Sequence, residues 1–152
     1  MAKTLSDMFA GMAEYFLANP LLADEIGDRF WEVGDEHMIA TLETLQSEPA
    51  ASHGKFVTWK DSGETVGRLK GGRESKLRFA RVDISCYGRF QPDARSLREL
   101  VLAVVGMGFR GTWGITPIRN AHWDYSAQDI EFDETVKMCR ADVALVVPYL
   151  NN

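Results

Sequence analysis

The chain has few cysteines and no long hydrophobic run. Its two cysteines, Cys86 and Cys139, lie in predicted strands without C-x-x-C spacing, which favours two buried, reduced thiols over a disulfide. No apolar run approaches the ~18 residues that a membrane-spanning helix needs. The N-terminal stretch MAKTLSDMFAGMAEYF also lacks the pattern of a signal peptide. These absences predict a protein of the cytoplasm without a membrane partner.

Basic residues are also scarce. The 152 residues include 17 Lys and Arg against 22 Asp and Glu, which gives a net charge of −5 at pH 7. General binding of nucleic acid depends on a basic surface that neutralises the phosphates. The charge balance therefore argues against a protein that coats nucleic acid, although it is compatible with a local basic patch.

Motifs of catalysis and metal binding are absent as well. The three histidines, His37, His53 and His122, lie in different segments, and none has a second ligand at helical spacing. The sequence has no G-x-S-x-G elbow, no calcium loop in its acidic stretch and no phosphate-binding loop among its glycines. We therefore expect a protein that is not an enzyme and that uses neither a cofactor nor a metal.

The centre of the chain contains a strand pattern followed by a helix pattern. In LRFARVDISCYG, every second residue from Ala80 to Cys86 is apolar, which predicts a strand with one apolar face. In DARSLRELVLAVV, apolar residues recur at spacings of three and four, which predicts an amphipathic helix that ends at Gly106. The apolar faces of strand and helix can pack together, and a chain of this length suits one domain.

The flanking segments predict further elements of both kinds. We expect a first helix over Leu5–Leu17 that Asn19-Pro20 stops, and a short surface helix between Gly34 and Gly54. Strands are expected at Asp28–Val33, Lys55–Lys60, Trp113–Trp123 and Thr135–Tyr149, with Pro117 indicating an edge or a bulge. The segments Leu21–Ile26, Asp61–Ser75 and Asp124–Glu134 are expected to be a turn, a long hairpin loop and an acidic connection. The predicted fold is of the α/β (α+β) class: a mostly antiparallel sheet of about five strands with two main helices packed on one face, in one domain over residues 1–152.

Three groups of side chains are candidates for a surface that binds a partner or a neighbouring subunit. Four basic residues lie in or beside the predicted hairpin loop and would form a local basic patch: Arg68, Lys70, Arg73 and Lys76. Aromatic residues exceed what one layer of helices can cover, and tryptophan is enriched in interfaces; we select Trp59, Trp113 and Trp123. The acidic connection supplies the third group: Asp129, Glu131 and Asp133.

The order of elements resembles the tail-terminator (tail-completion) proteins of long-tailed bacteriophages. The similarity begins with a helix that leads into Asn19–Trp31, with its Gly-Asp-Arg-aromatic motif. It continues through the strand Phe56–Trp59, a long variable loop and the strand Arg81–Gly88. A helix rich in Ala, Arg and Leu and the closing strand Arg140–Val147 complete it. The resemblance covers nearly the whole chain, and it rests on soft patterns rather than on single diagnostic residues.

The resemblance implies a structural virion protein without catalytic residues. Such a subunit would assemble with copies of itself into a ring, usually a homohexamer, at the head-proximal end of the tail tube. Its partners would be the tail tube protein and a head-completion or connector protein, and DNA would pass through the lumen without specific binding. The protein would be assembled in the host cytoplasm and would reside in the tail or neck of the virion.

Other functions remain open on sequence alone. The segment from Gly34 to Gly54 is longer than expected between the first two strands of a tail terminator, which leaves a neighbouring neck component, such as a head-closure or adaptor protein, as an alternative. A small enzyme or ligand-binding domain could use a pocket between the helices and the sheet, with Cys86, His122 and Asp124 nearby. A toxin-neutralising immunity protein is suggested only by the small size and the acidity of the chain.

Overall fold

A computed structural model describes residues 2–36, 38–40, 43, 54–68 and 74–150. At positions 2–4, 67–68, 74–75 and 126–129 it describes the backbone alone. The elements in chain order are α1 (Ala2–Leu17), α2 (Pro20–Ile26), β1 (Phe30–Glu32), β2 (Phe56–Arg68), β3 (Glu74–Gly88), α3 (Gln91–Val105), β4 (Phe109–Trp113), β5 (Thr116–Asp133) and β6 (Met138–Leu150). Residues 36, 38–40 and 43 are helical, and the rest of the surface helix predicted there lies outside the described residues.

The strands form one curled, mixed sheet in the order β1-β2-β3-β6-β5-β4. The pair β1–β2 is parallel and the other four pairs are antiparallel. Strands hold 49% of the structure and helices 33%. The predicted fold, about five strands with two main helices on one face, is therefore wrong, because the protein is mostly β and the helices are the smaller part.

Two polar segments account for most of this difference. The expected hairpin loop Asp61–Ser75 is largely strand, since β2 continues to Arg68 and β3 begins at Glu74. The expected acidic connection Asp124–Glu134 is the second half of β5. Both segments pair along long hairpins with much of their side chains in solvent, so they lack the alternating pattern that marks a half-buried strand.

Local capping explains a further correction near the N-terminus. The expected turn Leu21–Ile26 is the helix α2, because the Asn19 side chain accepts hydrogen bonds from the N–H groups of Leu21 and Leu22 at 3.1 and 3.3 Å. Pro20 occupies the first helical position, where its missing N–H is tolerated. The Asn19-Pro20 pair thus follows the end of α1 and also begins α2.

The β4–β5 hairpin corrects the single strand predicted for Trp113–Trp123. The chain turns at Gly114, which has a φ of +62°, so Trp113 ends β4 and Thr116 begins β5. Pro117 lies at the start of β5, just before the pairing with β6 begins at Ile118. The N–H that proline lacks is therefore not needed for that ladder.

The core lies between the helices and one face of the sheet, which we call the inner face. Ala80, Val82, Ile84 and Cys86 of β3 are buried there, as the alternation predicts, together with Leu97 and Val101 of α3 and Met8, Met12 and Phe16 of α1. We call the opposite side the outer face. Within the described residues, no helix is long and apolar enough to cross a membrane.

Candidate functional site

The outer face carries an ion network centred on Arg140 of β6. Its Nε donates to Asp142 at 3.0 Å, and its Nη1 donates to Asp133 at 3.1 Å. Its Nη2 donates to Glu131. We call these four residues the Arg140 cluster, and with three carboxylates on one guanidinium it has an excess of negative charge.

The turn between β5 and β6 places the acidic members of this cluster. Asp133 accepts hydrogen bonds from the N–H groups of Thr135 and Val136 through its Oδ1, which leaves Oδ2 for Arg140. Lys137 closes the turn with a φ of +65°. The resulting antiparallel register sets Glu131 directly opposite Arg140, so the backbone itself aligns the pair.

Polar neighbours extend the cluster onto β3. The Ser85 hydroxyl donates to Asp142 at 2.7 Å, and the Tyr87 hydroxyl lies 3.5 Å from Asp133. Burial, and then the negative charge of Asp133, raises the pKa of Tyr87 above its ordinary value. Burial would lower the pKa of Arg140, but the charge of Asp142 and the hydrogen bond to it outweigh burial and raise it. Both groups therefore keep their protons at neutral pH.

The acidic interface candidates thus fall into two sets. Glu131 and Asp133 belong to the Arg140 cluster, while the backbone of Asp129 lies opposite Asp142 in the register. Sequence reasoning selected the acids and missed Arg140. The available signal was an arginine two residues before an aspartate in a strand, a spacing that puts both side chains on one face.

The basic interface candidates belong to the end of the β2–β3 hairpin. Arg68 pairs through its backbone with Glu74, and Lys76 is exposed. Both lie beyond Leu77, where the pairing of β3 with β6 begins. Lys70 and Arg73 lie outside the described residues. An interface role for this group stays a prediction.

The three tryptophans lie in the core and not on an exposed face. Trp59 packs against Phe9 with ring centroids 5.1 Å apart, and Trp113 stacks on Phe109 at 5.0 Å. Trp123 donates from Nε1 to the carbonyl oxygen of Leu102 at 2.9 Å. All three are at most 7% exposed, so their side chains are not available to a neighbouring subunit.

The residues of the alternative enzymatic site do not converge. Cys86 is buried on the inner face, whereas Asp124 lies on the outer face, where it pairs with Arg81 at 3.0 Å. His122, two residues before Asp124 in β5, also points to the outer face and contacts the backbone of Asn120. Burial raises the pKa of the Cys86 thiol, which disfavours the thiolate that a nucleophilic cysteine needs. Among the described residues no group of three or more metal-ligating side chains could hold an ion.

The outer face thus carries the Arg140 cluster, and β1 and β4 form the two edges of the sheet. Its ion pairs and hydrogen bonds connect side chains of β3, β5 and β6.

Comparison with known proteins finds the fold but no family. No family model matches the chain, and no curated protein matches it. Among solved structures, the chain is similar to one in the virion of a native gene transfer agent particle, with a TM-score of 0.60 and 15% sequence identity. That similarity covers 94% of this chain and 93% of the other. At this identity it is the fold that the two chains share.

Proposed function

We propose that the protein is a structural component of a phage-like virion. The observation that carries this proposal is the similarity over nearly the full length of both chains to a subunit of a gene transfer agent virion. The similarity extends over 94% of this chain and 93% of the other, so it concerns the fold as a whole and not one shared motif. The separation of Cys86 from Asp124 by the sheet agrees with a structural role.

Within that class, the finer proposal is a ring-forming tail terminator at the head-proximal end of the tail tube. This choice rests on the resemblance of the Asn19–Trp31 motif and of the later strands to tail terminators, and a head-closure or adaptor protein is the alternative. The ring would cap the tube and bind the head-completion or connector protein. If the Arg140 cluster faces the lumen, its excess of carboxylates would repel passing DNA and so let it through without specific binding.

The direct test combines the protein with the tail tube protein of the same genome. A terminator is expected to form rings visible by negative-stain electron microscopy, to sit at one end of each tube, and to stop tube elongation when added to a polymerising tube protein. A matched sample without the protein gives the uncapped tube length. Monomers alone and in the presence of tubes, with unchanged tube growth, would contradict the terminator assignment.

A further inference from the structure

The two outermost strands of the sheet carry opposite charge. The segment from Asp24 to Glu36, which contains β1, has six carboxylates and one basic residue, Arg29. Arg29 is engaged in the fold, because its Nε donates to the carbonyl oxygen of Lys55 at 2.9 Å. The segment from Gly106 to Trp123, which contains β4 and the start of β5, has two arginines and no carboxylate. The segment around β1 is therefore acidic and the segment around β4 is basic, and the nearest carboxylate from another element at the β4–β5 turn is that of Asp7 in α1, which lies beside Gly114.

The charged side chains at both edges are directed to solvent. Glu32 at the end of β1 and Glu36 four residues later are exposed, and so are Arg110 of β4 and Arg119 of the neighbouring strand β5. Within the described parts of the chain, none of these four forms an ion pair, in contrast to Arg81 and Arg140 on the sheet face. Their charge is thus available to another molecule.

Apolar side chains accompany the charges at each edge. Val33 and Ile39 are 51% and 50% exposed beside β1, and Met107 and Ile115 are 101% and 77% exposed at the two ends of β4. Along its outer side, each edge strand has a row of backbone N–H and C=O groups that no other described strand pairs with. Each edge therefore combines such backbone groups with apolar contact area and charged side chains, which are the components of a specific interface.

We propose that the acidic β1 edge of one copy binds the basic β4 edge of the next copy. The occupant is a second copy of this chain because the complementary charge lies on the same molecule, at the opposite side of the sheet. The five spacings between six strands, at about 4.8 Å each, give about 24 Å from one edge to the other along the curled sheet. Two different patches far apart make a head-to-tail contact, which closes into a ring when the rotation between copies allows it.

This inference rests on the proposed ring and names the surfaces that would build it. It predicts that reversing the charge at either edge prevents self-association. R110E/R119E places two acidic edges in contact, and E32R/E36R places two basic edges in contact. Because these side chains are exposed and form no described ion pair, the fold should survive, which circular dichroism would verify. Like charges brought together cost several kcal/mol, so we expect the dissociation constant to rise about a hundredfold or more.

The decisive measurement is native mass spectrometry of the two variants, separately and mixed. Each variant alone should be monomeric, and an equimolar mixture should restore rings in which the two variants alternate. One chain carrying all four substitutions should assemble with itself. R89E/R95E, which makes the same change of charge at the start of α3, should assemble like the unmodified protein.

The outcomes separate this inference from the proposed function. If R110E/R119E and E32R/E36R assemble as the unmodified protein does, the edge pairing is wrong and a ring built through other surfaces stands. If the mixture of the two variants fails to assemble while the unmodified protein forms rings, the pairing is equally refuted. If the unmodified protein stays monomeric at low salt and high concentration, the pairing of the two edges is refuted. The proposed capping of the tail tube is then tested only by electron microscopy of the protein with tail tubes.

Discussion

The tight contact between α1 and the β4–β5 turn predicts that Gly11→Ala destabilises the protein. Gly11 of α1 faces the turn between β4 and β5, and a Cβ at this position would lie 2.1 Å from the backbone nitrogen of Gly114 and 2.5 Å from the carbonyl carbon of Trp113. Both neighbours are backbone atoms, so no side-chain rotation relieves the overlap. The helix would have to withdraw by roughly 1 Å, and close-packed interiors do not absorb such a shift freely.

The size of the effect follows from two opposing contributions. In a helix, Ala is better than Gly by ~1 kcal/mol, so helix propensity alone predicts a more stable variant. Overpacking costs ~1–3 kcal/mol, and contact with rigid backbone belongs at the upper end of that range. Withdrawal of α1 would also loosen Met8, Met12 and Phe16, which are fully buried on the same helix. We expect a net loss of about 2 kcal/mol in the free energy of unfolding, or a fall in Tm of ~4–8 °C.

Urea unfolding followed by circular dichroism and tryptophan fluorescence measures this directly. The matched control is Ala10→Gly, one residue earlier on an exposed part of α1, which should lose ~1 kcal/mol through propensity alone. All proteins are compared in the same oligomeric state, since association shifts apparent stability. A Gly11→Ala protein as stable as the unmodified one, or more stable, would show that the helix does not approach the turn this closely.

Three further predictions concern single side chains. Arg140→Gln should lower the free energy of unfolding by ~1–2 kcal/mol, measured with urea, because three carboxylates lose their common cation. The control Arg81→Gln removes a more exposed pair of contacts and should lower it by less than ~1 kcal/mol. Equal losses in the two variants would contradict a stabilising role of the Arg140 cluster. Burial, and then the Glu64 carboxylate, raises the pKa of Tyr149. The folded state therefore keeps a proton that the unfolded state releases near pH 10, so the free energy of unfolding should fall as the pH rises beyond 10. In Tyr149→Phe, which lacks this proton, the fall should be less steep. In the native protein a thiol reagent should modify half-buried Cys139 and leave buried Cys86 until urea unfolds the chain; rapid native labelling of both would contradict that burial.

Much of the helical part of the fold could be predicted from local pattern. The stripe of apolar residues in α1 and α3 and the strand alternation in β3 and β6 each depend on one face being buried, which leaves a period in the sequence. Gly106 ends α3 as expected, with a φ of +62° and its N–H donating to the carbonyl oxygen of Leu102. The long hairpins could not be predicted in the same way, because a polar strand exposed to solvent has no regular alternation of apolar and polar residues.

The candidate surface was predictable only in part, for a related reason. Glu131 and Asp133 were selected as members of an acidic run, but that run was expected to be a connection and not a strand. Their common partner Arg140 lies on the next strand, and only the register across the turn brings the three together. The tryptophans were selected as surplus aromatics, yet all three are buried in the core cluster that the helices and the sheet enclose.

The sequence by itself determined the net charge of −5, the apolar faces of α1, α3, β3 and β6, and the absence of the catalytic and metal motifs that were sought. These properties depend on composition or on neighbours within one element, so a linear pattern contains them. The tertiary structure decided which strands are outermost. The strand order places the acidic segment around β1 and the basic segment around β4 at opposite edges of one sheet. Strand order depends on pairings between residues far apart in the chain, and no local pattern specifies it.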